Sequence, residues 1–320
     1  MVLKAVASVL APAGSRARLS ILIFHRVLPA IDPLFPEDVD ERRFDATLGW
    51  LRRWFRVLPL DEAVSRLSER SLPSRAAAIT FDDGYADNAT IALPLLQRHG
   101  MTATFFVATG FLDGGCMWND SIIESVRRFD GDSLDLRDRD LGHYRVESNG
   151  ARRRAIDELL VRIKHLGSTE RADAVAYVAQ QARLTRPPTQ MMTTAQVRDL
   201  RKAGMQVGAH TRSHPILARL PNDEAQREIV DSKIHLEALL DESVTLFAYP
   251  NGKPGNDYLA VHARMARQAG FTAAVSTAPG VSTAESDKYQ LPRYTPWGTD
   301  STRFGVRLVA NLRNTQPHLA

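Results

Sequence analysis

The chain has 320 residues, of which 44% are hydrophobic and 24% are charged, and its formal net charge at pH 7 is +4. These values are typical of a globular protein of one or two domains with a sizeable core. The basic residues are scattered rather than clustered among aromatics, which argues against nucleic-acid binding, and the single cysteine, Cys116, excludes an intrachain disulfide.

The N-terminal segment, residues 1–19, contains a lysine and a short apolar run. It resembles a signal peptide or a membrane-contacting helix only weakly. No apolar run approaches the roughly 20 residues that a membrane-spanning helix requires. We therefore predict a soluble, cytoplasmic protein that could contact a membrane peripherally.

Short apolar runs alternate with amphipathic helical patterns along the rest of the chain. Gly100, Gly204 and Gly270 stand where three of the helices should end, and Thr193 and Gln196 have the spacing of a capping box. The predicted strands are residues 20–24, 56–60, 76–81, 102–108, 205–209, 244–249, 271–276 and 289–293.

This alternation predicts a parallel sheet, and seven or eight strand–helix units predict a closed or nearly closed barrel. The predicted fold class is therefore α/β, a distorted or incomplete (β/α) barrel. The rhythm breaks at about residues 117–192, a charged stretch that we interpret as a mostly helical insertion. The predicted catalytic domain spans residues 20–300, and residues 301–320 are predicted to be a C-terminal tail.

Polar residues follow five of the predicted strands, at the carboxyl ends where a (β/α) barrel builds its active site. The adjacent carboxylates of "TFDDG" could form a turn, or a site in which one binds a cation and the other accepts protons. Five polar strand ends in one chain favour the site. They are His25, Asp82 with Asp83, His210, Tyr249 with Asn251, and Arg293.

The imidazoles of His210 and His214, in "HTRSH", are four residues apart. At this spacing one helical turn or a compact loop can direct both at one ion. Two imidazoles and one carboxylate form the ligand set of many catalytic zinc sites, and Asp83 can supply the carboxylate. Asp82 would then lie beside the ion, whose charge keeps it ionised and able to accept a proton from water.

The motifs "TFDDG", "HTRSH" and "FAYP", in this order, resemble those of the polysaccharide deacetylases of carbohydrate esterase family 4. The resemblance covers about residues 20–297 without the insertion. It implies a distorted β/α barrel and a divalent metal, usually zinc, held by Asp83, His210 and His214. It also implies that Asp82 is the general base in hydrolysis of an N-acetyl group from a sugar. The variants "LIFHRV", "FAYPNG" and "LPRY" look like a bacterial branch associated with exopolysaccharide or envelope-glycan synthesis.

The chain departs from the family's pattern at two places. Many members carry an Arg-x-Pro-Tyr motif whose Arg orients the base, but here Ala248 stands at the Arg position and Asn251 at the Tyr position. The backbone N–H of Asn251 can still donate to an oxyanion, because this role needs no side chain. The late Leu-x-His motif that normally provides the general acid is absent from its usual place.

We predict replacements for both missing groups. Arg293 could pair with Asp82 through two hydrogen bonds in place of the motif Arg, the alternative being an ordinary surface Arg. His25 closes a predicted strand on the same face as the metal ligands. It could donate a proton to the departing amine, serve as an extra ligand or contact a ligand, or merely line the cleft.

The predicted function is metal-dependent removal of N-acetyl groups from an N-acetylhexosamine-containing glycan, either a polysaccharide or a lipid-linked oligosaccharide. An O-acetyl esterase or a deformylase acting on a related sugar is the nearest alternative, and a glycan-binding pseudoenzyme is the second. Paired Asp residues could bind magnesium for phosphoryl transfer, but the sequence has no Gly-rich phosphate loop and imidazoles suit zinc better. Residues that could contact the sugar, or equally be packing residues, are Tyr249, Pro250, Trp118 and Trp297.

Overall fold

The computed structural model describes residues 2–185, 189–296 and 300–320. In chain order the strands are β1 Leu19–Phe24, β2 Arg56–Val57, β3 Ala76–Phe81, β4 Thr104–Val107, β5 Ser133–Asp135, β6 His143–Arg145, β7 Gln206–Ala209, β8 Leu246–Ala248 and β9 Ala273–Val275. The α-helices are α1 Val2–Leu10, α2 Glu41–Trp54, α3 Leu60–Ser68, α4 Leu93–His99, α5 Trp118–Arg128, α6 Asn149–Lys164, α7 Ser168–Gln181, α8 Thr194–Lys202, α9 Asn222–Leu240, α10 Ala260–Gln268 and α11 Ser301–Asn311.

The chain divides into two compact units. Unit 1 consists of Met1–Pro29, Val39–Asp113 and Met192–Ala320, and unit 2 consists of Ala30–Asp38 and Gly114–Met191. The chain therefore leaves unit 1 twice, first between β1 and α2 and again between β4 and α8.

A curled parallel sheet forms the centre of unit 1. Its strand order is β1-β3-β4-β7-β8-β9, and β2 pairs with the first residues of β3. The strands are mostly apolar because both faces of the sheet are covered, as is usual for parallel sheets. The strand predicted over 56–60 is only two residues long, since Leu60 already begins α3.

Residues 289–294 connect the two edges of this sheet without forming a regular strand. Leu291 pairs with Val275 of β9, and Tyr294 pairs with Leu22 of β1, each as an isolated parallel bridge. The strand predicted over 289–293 is thus only a pair of isolated bridges, and these bridges close the curled sheet into a barrel. The prediction of a distorted (β/α) barrel is confirmed.

Alternate residues of the strands enter two different apolar layers, as the two-residue period of a strand requires. The outer layer lies between the sheet and its helices and contains the stacked rings of Phe81 and Phe105, whose centroids are 4.9 Å apart. The inner layer joins residues such as Ile21 and Ala78, and the apolar face of α3 packs against it. Residues two positions apart on one strand therefore face the same layer, which fixes the direction of the polar residues beyond the strand ends.

The predicted helix boundaries are found at α4 and α8. Gly100 ends α4 in the left-handed conformation, with φ of +64°, which glycine adopts at low cost. The Thr193 hydroxyl accepts from the backbone N–H of Gln196, whose side chain accepts in turn from the N–H of Thr193. This is the capping box that the sequence predicted.

Unit 2 combines α5, α6 and α7 with an antiparallel hairpin of β5 and β6. Its core contains Ile122, Ile156 and Tyr144. The sequence predicted helices here but not the hairpin, because each hairpin strand has three residues and only the central one is buried. Such short segments carry almost no periodic signal.

Helices near both ends of the chain belong to unit 1 and pack against each other. Residues 301–320, predicted to be a tail, include α11, and α1 packs against α11 and α2. Gly305 of α11 permits this packing, because a Cβ there would come within 2.6 Å of a Leu3 methyl carbon. Among the helices of the described residues, none has both the length and the apolar content needed to cross a membrane.

Candidate metal and catalytic site

Two neighbouring carboxylates face the same site at the end of β3. Asp82 continues the inward alternation of Ala78 and Thr80, and the residue is only 2% exposed. Asp83 has φ of +76°, in the left-handed region that Asp tolerates better than most residues. This change of backbone hand turns the second carboxylate towards the same mouth, where it is also buried.

The segment from His210 to His214 forms a compact loop rather than a helical turn. Thr211 and His214 both have positive φ, at +62° and +54°, and the His214 backbone N–H donates to the Thr211 hydroxyl at 3.1 Å. The two imidazole centroids are 4.9 Å apart. The sequence allowed either a helical turn or a compact loop for this segment, and the structure has the loop.

The side chains of Asp83, His210 and His214 come together as a candidate metal cluster. Asp83 Oδ1 lies 3.4 Å from His210 Nε2 and 3.3 Å from His214 Nε2. One ligand atom from each residue lies within 4.8 Å of the others. Within the described part of the chain, the buried Asp83 Oδ1 has no hydrogen-bond partner. Because a buried charged oxygen is costly without a partner, these residues fit a cation.

The tautomer of His210 is fixed by the neighbouring strand. Its Nδ1 lies 2.8 Å from the carbonyl oxygen of Ala248, at the end of β8. A carbonyl can only accept, so Nδ1 carries a proton, and in the neutral imidazole Nε2 presents its lone pair to the cluster. Metal-ligating histidines are commonly oriented in this way.

Burial and neighbouring charges set the protonation of the cluster. Burial alone would raise the pKa of Asp83, but the charges of the imidazoles outweigh it and hold the pKa below its usual range. Burial lowers the pKa of His214 to about 4. For His210 the lowering by burial is outweighed by the charge of Asp82, so that its pKa is raised. At neutral pH His214 is therefore neutral, as a metal ligand must be.

Asp82 forms a buried ion pair with Arg293. Both carboxylate oxygens accept from the guanidinium, each at 2.6 Å, and Arg293 is 1% exposed. Arg293 also donates to the Thr80 hydroxyl at 3.2 Å and to the Ser276 carbonyl at 2.9 Å. The predicted pairing is found, and the alternative of an ordinary surface Arg is wrong.

This ion pair decides the charge of Asp82. Burial raises the pKa of Asp82, and the charges of Arg293 and His210 more than offset it, so that the pKa is lowered. Asp82 Oδ2 is 3.9 Å from His210 Nε2, so the ionised carboxylate lies directly beside the metal cluster.

His25 and Asn251 follow β1 and β8. The His25 side chain is exposed, and its carbonyl accepts from Asn88 Nδ2 at 2.9 Å. Phe24 of β1 pairs with Phe81 of β3, and the Asp82 N–H donates to the Phe24 carbonyl at 3.0 Å, which places His25 at the same edge of the sheet as the two aspartates. Asn251 has φ of +57°, and its carbonyl accepts from the Thr277 hydroxyl at 2.8 Å. The chemical roles of both residues remain predictions.

The residues predicted to contact the sugar lie in different environments. Tyr249 is fully buried, its ring stacks on Tyr258 with a centroid separation of 3.9 Å, and its hydroxyl donates to the Tyr289 carbonyl. The prediction that Tyr249 contacts the sugar is wrong, because it follows the inward Ala248 and so enters the outer layer.

Pro250 is buried as well, so it offers no ring face to a sugar. Trp118 lies in unit 2, half-buried against the core of that unit, with the Arg171 guanidinium 5.7 Å from its ring centroid. Its contact with a glycan stays a prediction. Trp297 lies outside the described residues.

Two residues of this site were not predicted. Thr80 could have been predicted from the sequence. It lies two residues before Asp82 on the same strand, so its side chain points to the same side of the sheet. Glu228, on α9, accepts from the backbone of the loop between the two imidazoles. Nothing in the helical pattern around Glu228 distinguishes it from the other charged residues of α9.

Replacing Arg293 tests the buried ion pair. Arg293→Met leaves the Asp82 carboxylate buried without its counter-charge, and breaking such a pair costs roughly 3–5 kcal/mol. In the wild type the lowered pKa of Asp82 stabilises the fold above the ordinary pKa of an aspartic acid, about 4, and this stabilisation is lost as the pH falls through the lowered pKa. In the variant the charge of Arg293 no longer opposes the effect of burial and mainly that of His210 remains, so the pKa of Asp82 should rise and protonation should relieve the cost at a higher pH.

Urea denaturation should therefore give a large difference in the free energy of unfolding at pH 7 and a smaller one at about pH 5. Arg303→Met, which removes an exposed guanidinium on α11, is the matched control and should change stability little at either pH. A difference that is equally large at both pH values would contradict this account of Asp82.

Comparison with known proteins identifies the same family in a family model and in a curated relative. The family model described as polysaccharide deacetylase matches residues 69–130 and 165–274, more than half of the chain. YxkH of Bacillus subtilis (strain 168), assigned to the polysaccharide deacetylases, is 24% identical over 279 residues, covering 87% of this chain and 71% of YxkH.

Two solved structures share the fold. The Streptococcus pyogenes deacetylase PplD, solved in complex with acetate, has a TM-score of 0.62 and 19% identity, over 92% of this chain and 98% of that one. IcaB from Ammonifex degensii has a TM-score of 0.59 and 17% identity, over 93% of this chain and 98% of that one. With the matched family model, these findings establish that the chain belongs to the polysaccharide deacetylase family.

Proposed function

We propose that this protein is a metal-dependent deacetylase that hydrolyses the N-acetyl group of an N-acetylhexosamine within a glycan. Its family acts on the acetyl groups of glycans. The single observation that carries the proposal is the buried, unpartnered Asp83 oxygen between two imidazoles, beside a second carboxylate held by Arg293.

Asp83, His210 and His214 would hold the metal, and zinc suits a set of two imidazoles and one carboxylate. When bound, the metal would act as a Lewis acid towards the acetyl carbonyl and would acidify water. The protein's part is to present His210 Nε2, which it does through the Ala248 carbonyl, and to keep His214 neutral, which it does through burial.

Asp82 is the proposed general base. Arg293 keeps this carboxylate ionised at neutral pH and fixes the plane of its two oxygens, so that it is available to accept a proton from the attacking water. A base with a fixed position also loses little entropy on reaching the transition state.

His25 is the proposed proton donor to the departing amine, and the Asn251 backbone N–H is the proposed oxyanion donor. An amine leaves readily only when it is protonated, whereas an alcohol leaves an ester more easily. An imidazole at the mouth of the site therefore favours an N-acetyl over an O-acetyl substrate. The acetate in the PplD structure supports removal of an acetyl group rather than a formyl group.

The substrate is proposed to be an extended or lipid-linked glycan of the envelope or exopolysaccharide type, on the basis of the sequence variants "LIFHRV", "FAYPNG" and "LPRY". A peripheral contact with a membrane would suit a lipid-linked substrate. An O-acetyl esterase on a related sugar is the second candidate.

Acetate release from an N-acetylated chito-oligosaccharide tests this function. The zinc-loaded wild type should release acetate, and Asp82→Asn should keep the metal but lose about 10²–10⁴-fold in turnover, the usual contribution of a general base. His214→Ala should lose both metal and activity, because it removes one of three ligands. Acetate is measured by a coupled assay and metal by elemental analysis of the dialysed protein.

Asp83→Asn serves as the matched control for Asp82→Asn, since both remove one negative charge from adjacent positions. It should lose the metal. If Asp82→Asn lost the metal while Asp83→Asn retained it, the two assigned roles would be reversed. Faster release of acetate from an O-acetylated than from an N-acetylated sugar would favour the esterase.

A separate prediction concerns His25. His25→Gln should retain the metal, because His25 is outside the cluster of three ligands. If the imidazolium delivers the proton, the alkaline limb of the pH profile of kcat should disappear and the remaining activity should be low. Loss of metal would instead make His25 a ligand, and an unchanged kcat profile would remove it from the mechanism.

A further inference from the structure

The loop between His210 and His214 is held from α9 by one carboxylate. Glu228 Oε2 accepts from the backbone N–H groups of Arg212 and Ser213, each at 2.8 Å. Its other oxygen, Oε1, accepts from the Ser213 hydroxyl at 2.6 Å. Three hydrogen bonds thus join one charged side chain to the two residues midway between the imidazoles.

The opposite side of this loop is held from the end of β4. The Gly110 N–H donates to the Arg212 carbonyl at 2.7 Å, and the Thr109 N–H donates to the Thr211 carbonyl at 3.2 Å. A Cβ at Gly110 would come within 2.7 Å of the Arg212 oxygen, so only glycine fits this approach without movement. The loop's donors therefore point to α9, and its acceptors point to β4.

The loop needs such support because its backbone is not in a relaxed form. Thr211 and His214 both have positive φ, which costs energy for residues other than glycine, and the cost is larger for a β-branched residue such as Thr211. A conformation of this kind persists only where surrounding contacts determine it. Hydrogen bonds to a charged acceptor are stronger than those between neutral groups, which makes Glu228 the strongest of these contacts.

We propose that Glu228 is a positioning residue of the metal site: it holds the His210–His214 loop in the conformation in which both Nε2 atoms face the Asp83 carboxylate. It does not touch the cluster itself. Its effect is to remove, before the metal binds, the conformational freedom that the loop would otherwise lose on binding. This inference rests on the proposed metal-dependent function.

Zinc affinity of Glu228 variants tests the proposal. Supporting groups behind metal ligands typically contribute 10–100-fold to metal affinity, so Glu228→Ala should weaken zinc binding by about that factor. Glu228→Gln keeps the side-chain shape and an oxygen that can accept from both N–H groups, and should recover most of the affinity. Dissociation constants are measured by competition with a chromogenic zinc chelator.

Glu224→Ala is the matched control, since it removes an exposed carboxylate one turn earlier on the same helix, and should bind zinc like the wild type. If Glu228→Ala fails to fold, Ser213→Ala removes one of the same three hydrogen bonds and should give a smaller loss in the same direction. The rise in melting temperature that zinc produces is a second measurement. A purely structural residue would lower the melting temperature with and without zinc equally, whereas a positioning residue reduces the difference between them.

The outcomes separate this inference from the function on which it rests. Wild type that binds zinc, with Glu228→Ala and Ser213→Ala binding it equally well, would overturn the role of Glu228 alone. Wild type that binds no divalent metal would overturn both. Weakened binding in Glu228→Ala, recovered in Glu228→Gln and absent in Glu224→Ala, is the result that we expect.

Discussion

Arg293 occupies the inside of the barrel, where it joins three separate parts of the chain. It lies on the segment that closes the sheet between β9 and β1, it donates to the Ser276 carbonyl just beyond β9, and it holds Asp82 and Thr80 of the β3 region. A buried guanidinium is tolerable only if its donors are satisfied and its charge is matched. The contacts that close the barrel are therefore the same contacts that orient the proposed base.

The two adjacent aspartates have different electrostatic surroundings, although both are buried. The negative charge of Asp82 is balanced by a permanently protonated guanidinium. Asp83 instead faces two imidazoles and keeps one oxygen without a hydrogen bond. The charge of one carboxylate is thus balanced within the protein, and the other carboxylate has an oxygen available to a cation. Two carboxylates in such different environments can take different chemical roles.

The strand ends could be predicted from the sequence because short apolar runs followed by polar residues are a local pattern. This pattern placed Asp82, Asp83, His210 and Arg293 at one mouth before any contact was known. It failed at Tyr249, because a shift of one residue along a strand exchanges the inner and outer faces, and the end of β8 could not be located that closely. The final strand was overestimated for a related reason, since its pairing is limited to two bridges that depend on the strands beside it.

Other features lay beyond the reach of sequence patterns. Glu228 contacts the imidazole loop across 15 or 16 residues of chain, and its position on α9 matches that of any solvent-facing glutamate. Arg293 and Asp82 are 211 residues apart, and their pairing was predicted from the Arg that is missing relative to the family motif and from the assignment of both residues to strand ends of one barrel. Long-range contacts of this kind follow from the fold, so they can be inferred only after the topology is known.

Anomalous X-ray scattering at the zinc edge is the direct test of metal binding between Asp83, His210 and His214. Crystals of the wild-type protein grown with zinc should show one strong anomalous peak about 2.0–2.2 Å from an Asp83 oxygen and from the Nε2 atoms of both histidines. The Nδ1 atom of His210 should remain bound to the Ala248 carbonyl. A peak at another position, or no peak at this cluster while zinc is bound elsewhere, would contradict the account.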